Sequence, residues 1–191
     1  LEKRLGRLKP HPDLTLDVHV DGYGDRHDLL VDRKGVFELA VRGLKAAKEK
    51  GFRIGTNTTV YAGTSGKDLG QLFDFLTDEV DIDGLMLSPG YDYPKAPDQE
   101  VFLSRPQMIE TFKELFDQPG AKNGKWKFNQ SSMYLDFLAG NQTYHCTPWG
   151  MPTRNIFGWQ KPCYLIGEGY VKSFKELMEG TDWDSYGTGR Y

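Results

Sequence analysis

The sequence predicts an α/β protein, with parallel strands in consecutive βα units over residues 1–120 and an irregular α+β appendage over residues 121–191. Three observations carry this. Apolar runs of strand length alternate with runs of helical periodicity through the first two-thirds of the chain. The intervening helices are long enough for right-handed crossovers between parallel neighbours. From Gly120 onward both periodicities weaken, and prolines, glycines and aromatics take their place. A chain of 191 residues suffices for one sizeable core and a small appendage.

The first strand is "LTLDVHVDG", where β-branched and leucine side chains alternate with polar ones. A polar stretch leads to "GVFELAVRGLKAAKEKG", in which Phe37, Ala40, Val41, Leu44 and Ala47 recur at helical spacing and Gly51 follows a basic last turn. "FRIGTNTTV" is the second strand. Ser65 and Asp68 then have capping-box spacing ahead of a stripe of Leu69, Leu72, Phe73, Leu76 and Val80. "DGLMLSPGY" is the third strand, stopped at Pro89. After the loop "GYDYPKAPDQEVF", Ser104 and Gln107 open a helix that turns Met108, Phe112, Leu115 and Phe116 inward. In the appendage, "KWKFNQ" reads as a short strand and "SMYLDFLAG" as a short helix closed by Gly140. "YLIGEGYVK" reads as a hairpin turning at Gly167-Glu168-Gly169, and Ser173 with Glu176 caps a last helix, "FKELMEG".

Composition excludes several classes. A formal net charge of -3 gives no global attraction to nucleic acid. No apolar run approaches the ~20 residues of a membrane span, and "LEKRLGRLKPHPD" is too polar for a secretory signal. Two cysteines do not make a disulfide framework. A soluble cytoplasmic protein is the expectation. The first strand starts at residue 14 with nothing ahead of it that could cover a sheet edge, so the chain reads as a fragment.

Parallel α/β proteins bind ligands beyond the carboxyl ends of their strands. There the first strand carries His19 and Asp21, the second Asn57 and Thr59, and the third Ser88. Alone, Asn57 and Ser88 serve equally well as turn or strand-end residues, and a lone histidine such as His19 is more often a satisfied core residue. Their joint occurrence on three successive strands offers donors and acceptors for hydroxyl, amine and carboxylate groups. His19, Asp21, His27 and Asp28 also supply the nitrogen and oxygen donors of a divalent-metal enzyme, a second reading. A non-catalytic binding module is a third.

The run "VHVDGYGDRHDLLVDRKGVFELAVRGLKAAKEKGFRIGTNTTV" resembles the fourth-to-fifth strand region of radical S-adenosylmethionine enzymes, through Asp21-Gly22, His27-Asp28 and Gly35-Val36-Phe37. "SPGYDYPKAPDQEVFLSR", "FNQSSMYLDFLAGNQTYHCTPWGMPTRNIFGWQKPCYL" and "GTDWDSYGTG" are similar to the hopanoid-biosynthesis members of that superfamily, the adenosyl-hopene transferases. The resemblance implies the C-terminal part of a partial TIM-type barrel. It also implies that the C-x3-C-x2-C motif, which holds the catalytic 4Fe-4S cluster and is missing from this sequence, lies ahead of Leu1 in a longer protein. The cluster ligands would then fall outside this chain, which alone would be inactive.

The implied reaction joins a 5'-deoxyadenosyl group from S-adenosylmethionine to hopene, with a flavodoxin or ferredoxin as electron donor. His19, Asp21, Asn57 and Ser88 match the superfamily's cofactor-binding strand ends. Tyr91, Tyr93, Trp149, Phe157 and Trp159 would wall the triterpene beneath a rigid lid formed by "CTPWGMPTRNIFGWQKPCY". Cys163 matches a cysteine-led hairpin that carries auxiliary clusters in some relatives. A lipid substrate further implies a protein peripheral to the membrane.

Overall fold

The computed structural model describes residues 2–90, 97–144, 148–164 and 166–186. The chain divides into two compact units, residues 1–91 with 98–142, and residues 92–97 with 143–191. No helix among the described residues is long and apolar enough to cross a membrane.

In the first unit, β1 (Thr15–His19), β2 (Arg53–Val60) and β3 (Gly84–Pro89) form a parallel sheet in the order β1-β2-β3, as the alternating periodicities predict. The register pairs His19 with Asn57 and Thr59 with Ser88. Because strand side chains alternate between faces, this register sorts the sheet into two surfaces. Ile54, Val60, Leu85 and Leu87 face the helices and join one core cluster with Leu44 and Ala47 of α2 (Val36–Glu49) and with Leu69, Leu72 and Phe73 of α3 (Gly66–Asp78). The opposite face carries Asp17, His19, Asn57, Thr59, Met86 and Ser88, together with Gly55 and Gly84.

The segment "KWKFNQ" belongs to this sheet. Leu85 N–H donates to Lys127 O at 2.8 Å, Asn129 N–H donates to Leu85 O at 2.9 Å, and Leu85 and Phe128 form a parallel bridge. It contributes this one bridge and not a full strand. The compact unit therefore reaches residue 142, although the sequence pattern changes near residue 120. Among the described residues no closed barrel forms; the architecture is a mixed α/β one, with this parallel sheet and a separate antiparallel one.

The polar stretch after β1 holds a helix that its composition does not announce, α1 (Asp25–Leu30). Arg26 of α1 donates to Ala62 O and to Thr64 Oγ1, both at 3.2 Å, which ties α1 to the chain beyond β2. Asp28 accepts from Gly35 N–H and, at 2.8 Å, from Phe37 N–H, so it serves the first turn of α2 as a capping residue. Those backbone bonds, Phe37 first, hold its carboxyl below its ordinary value of 3.8. The stability it contributes is thus present above pH 3.8 and lost as pH falls through the lowered folded value. Asp28→Ala should fray α2 at its start, read as faster amide exchange over residues 36–39 with the centre of α2 unchanged.

The expected capping boxes form. Ser65 Oγ accepts from Asp68 N–H at 3.1 Å while Asp68 accepts from Ser65 N–H at 2.9 Å. At α4 (Arg105–Phe116), Gln107 reaches back to Ser104 N–H at 2.9 Å. Helices α3 and α4 pack at unusually close range through Gly66, whose N–H donates to Glu114 at 2.7 Å and whose carbonyl accepts from Gln118 at 2.6 Å. Two short helices, α5 (Pro119–Lys122) and α6 (Ser132–Leu138), complete the unit.

In the second unit β4 (Arg154–Asn155), β5 (Gly158–Pro162) and β6 (Gly167–Val171) form an antiparallel sheet. This corrects the predicted hairpin in "YLIGEGYVK". Gly167, Glu168 and Gly169 lie within β6, where Gly167 and Gly169 pair with Pro162 and Lys161 of β5, so the reversal occurs between Pro162 and Gly167. The pattern misled because Gly-x-Gly is also turn chemistry; here Lys161 pairs with Gly169, and the ladder shifts between Lys161 and Pro162. The last helix, α7 (Phe174–Glu179), is capped as predicted, with Glu176 N–H donating to Ser173 Oγ at 3.1 Å.

Candidate functional site

Asp21, two residues beyond the end of β1, is 2% exposed and spends both carboxylate oxygens on neighbours. Oδ2 meets His19 Nε2 at 2.7 Å, and Oδ1 accepts from Thr59 N–H at 2.7 Å, locking the end of β1 to the end of β2. Its own N–H donates to His27 Nδ1 at 3.1 Å. A buried carboxylate with both oxygens so engaged positions the neighbours it bonds.

His19 is the member of this cluster that meets solvent, its side chain 48% exposed. The hydrogen bond to Asp21 raises its pKa above 6.5 against the opposing pull of partial burial. The stability gained is fully present below pH 6.5 and is lost as pH rises through the raised folded value. His27, 1% exposed, shows the reverse: burial pushes it below 6.5. Its contribution is present above pH 6.5 and lost as pH falls toward the lowered folded value. Because Nδ1 accepts from Asp21, the ring proton of His27 resides on Nε2, which is buried without a hydrogen-bond partner among the described residues.

Of the strand-end residues read from the sequence, His19, Asn57 and Ser88 share the polar face of the sheet, with Asp21 behind them. Asn57 lies in register with His19, while Ser88 lies opposite Thr59. Gly55 and Gly84 stand side by side one pair earlier, overlaid by the side chains of Asp17 and Asn129. Sequence reasoning did not assign the Thr59 amide or the support from His27. The only trace of the latter was the His27-Asp28 pair, whose partners lie elsewhere in the fold.

That pair does not assemble as metal ligands. Nδ1 of His27 holds Asp21 N–H, and both oxygens of Asp28 hold backbone amides. No group of three or more His, Cys, Asp or Glu suited to a metal ion occurs among the described residues.

In the second unit, Trp159 packs its ring on Phe174 at 5.1 Å and Trp149 packs on Trp183 at 5.8 Å. Phe157 packs on Tyr170 at 5.6 Å, yet is 71% exposed. Cys163 is a free, buried thiol. Tyr91 and Tyr93 lie outside the described residues.

Residues 85–191, more than half of the chain, match a family described as a domain of unknown function, DUF3463. No curated protein and no solved structure matches the chain.

Proposed function

The chain belongs to the DUF3463 family, and from that premise we propose that it is the cofactor- and lipid-binding part of a radical S-adenosylmethionine enzyme of hopanoid synthesis. The reading rests on one observation: His19, Asn57 and Ser88 share one face of three parallel strands, with His19 and Ser88 toward the carboxyl ends of theirs, Asn57 beside His19, and the buried Asp21 bonded to His19. The sheet would be the C-terminal portion of an open barrel, with its polar face inward. The 191 residues contain two cysteines, too few for a three-cysteine cluster motif, so the 4Fe-4S ligands would come from outside this chain.

The polar face suits the polar portion of S-adenosylmethionine. The His19 imidazole, the Asn57 amide and the Ser88 hydroxyl supply donors and acceptors of the kinds that its amino-acid and ribose groups require. Asp21 contributes indirectly, by holding His19 and the Thr59 amide in place. Bound there, S-adenosylmethionine would supply, on one-electron reductive cleavage by a flavodoxin or ferredoxin with release of methionine, a 5'-deoxyadenosyl group for the terminal double bond of hopene, and adenosylhopane would be completed by one further hydrogen atom from a separate donor. Trp149 and Trp159, held against Trp183 and Phe174, are the candidates for contact with the hydrocarbon. The protein would work at the membrane surface, where hopene resides.

The test uses the intact enzyme and measures 5'-deoxyadenosine and adenosylhopane separately. His19→Ala should lower both products together, since both require the cofactor. Trp159→Ala should lower adenosylhopane at least tenfold while 5'-deoxyadenosine persists, because a lost aromatic contact costs about 1.4 kcal/mol or more. Equal loss of both products in Trp159→Ala, with uncoupling in His19→Ala, would reverse the assignments.

A further inference from the structure

The turn between β4 and β5 breaks a local rule. Asn155 pairs with Gly158, leaving Ile156 and Phe157 as a two-residue loop. Such loops favour glycine, asparagine and aspartate. Here the backbone demand is met by the flanking residues instead. Phe157 N–H donates to Asn155 Oδ1 at 2.9 Å, and Gly158 adopts a φ of 129°. A Cβ on Gly158 would lie 2.6 Å from Val171 O. The loop positions thus remain free for two large apolar side chains, 93% and 71% exposed. An apolar loop so supported indicates a use for its exposure.

Two cations stand directly behind the tip. Arg154 pairs with Trp159, and Trp159 with Val171; Arg154 therefore lies on the face of that row. Lys172 follows Val171, the last residue of β6, and is exposed. The Glu176 carboxylate is taken up by Lys172 N–H at 3.0 Å. The hairpin thus has an apolar point, the exposed Arg154 and Lys172 close behind it in the chain, and the Tyr170 ring behind Phe157.

We propose that the Ile156–Phe157 hairpin tip is a membrane anchor that inserts into the headgroup region of an anionic lipid surface, with Arg154 and Lys172 meeting the lipid phosphates. The shape favours lipid over protein. Two side chains bury on the order of 400 Å² even when fully covered, far below the ~1,200 Å² of a stable protein interface. A fluid bilayer closes around such a convex wedge, whereas the tip alone leaves a rigid protein partner little to hold. Aromatic and aliphatic residues at the interface, backed by lysine and arginine, are the composition of interfacial anchors. This proposal stands on the hairpin alone and needs neither cofactor nor triterpene.

The experiment is co-sedimentation of the full 191-residue chain with phosphatidylcholine vesicles, with or without about a third phosphatidylglycerol. The chain is expected to sediment with the anionic vesicles. The double variant Ile156→Ser, Phe157→Ser should bind at least about tenfold more weakly with unchanged circular dichroism, since both side chains are exposed. Arg154→Gln with Lys172→Gln should weaken binding to anionic vesicles several-fold and leave binding to neutral ones unaltered. Sedimentation of the tip variant equal to that of the parent chain would overturn the proposal, as would failure of the parent chain to bind. So would light scattering that shows, without vesicles, a parent dimer that the tip variant abolishes, because the tip would then meet a second copy. None of these outcomes depends on product formation, so this proposal and the enzymatic reading fail separately.

Discussion

Asp21→Ala is expected to lower the stability of the first unit by about 3 kcal/mol in urea unfolding, the largest loss from a single polar residue. Removing a buried carboxylate leaves the Thr59 amide without its acceptor at the junction of β1 and β2, and an orphaned buried donor costs about 1–3 kcal/mol. The lost bond to His19 adds to this. Asp21→Asn separates the two effects. It can retain an acceptor for Thr59 N–H while removing the charge that supports His19, so its cost should be about 1–2 kcal/mol. The sign with pH is specific. Asp21 raises the His19 pKa, so the stabilisation by that pair is full below 6.5 and gone above the raised folded value. The penalty of Asp21→Asn should therefore be larger below pH 6.5 than on the alkaline side. An NMR titration should also show His19 returning toward 6.5. A wild-type His19 titrating at or below 6.5 would contradict the geometry.

Gly66→Ala is the second. A Cβ there would lie 2.5 Å from Leu115 N and 2.7 Å from Thr111 O, both backbone atoms of α4, which no change of rotamer can relieve. The two helices must separate, and overpacking of this kind costs about 3 kcal/mol, more than the up to 1 kcal/mol of helix propensity that alanine regains. Separation would also lengthen the bonds from Gly66 to Glu114 and Gln118. Gly70→Ala is the control. Its Cβ would meet the Gln118 side chain first, which can swing away at the expense of its bond to the Gly66 carbonyl, so a smaller loss of about 1 kcal/mol is expected by thermal unfolding. Equal losses in the two variants would show that α4 is not held at contact distance.

The two histidines near Asp21 titrate in opposite directions, and the cause is spatial. His19 keeps solvent on one side and a carboxylate on the other, whereas His27 is enclosed and its Nε2 lacks a partner among the described residues. Acidification therefore works against the site through His27, since a protonated Nδ1 cannot accept the Asp21 amide. His27→Phe should flatten the loss of stability on the acid side of pH 6.5 while sacrificing that hydrogen bond.

By itself the sequence determined the parallel βα order, the capping boxes at Ser65 and Ser104, the apolar faces of α2 and α3, and the placing of His19 and Ser88 near strand ends, whereas Asn57 lies mid-strand because β2 continues to Val60. These are local properties, set by side-chain period and by hydrogen bonds over three or four residues, so a one-dimensional reading reaches them. Tertiary structure alone decided that Asp21 is a buried brace, that His27 supports it from α1, and that "KWKFNQ" joins the edge of β3. It also decided that Gly167 and Gly169 sit inside a strand and that Ile156 and Phe157 form an exposed turn. Each of these depends on which distant residue supplies a hydrogen-bond partner or withholds cover, as when Thr59, 38 positions along the chain, takes up the Asp21 carboxylate. Residue type states what a side chain can bond to, and only the packed chain settles which partner lies within reach.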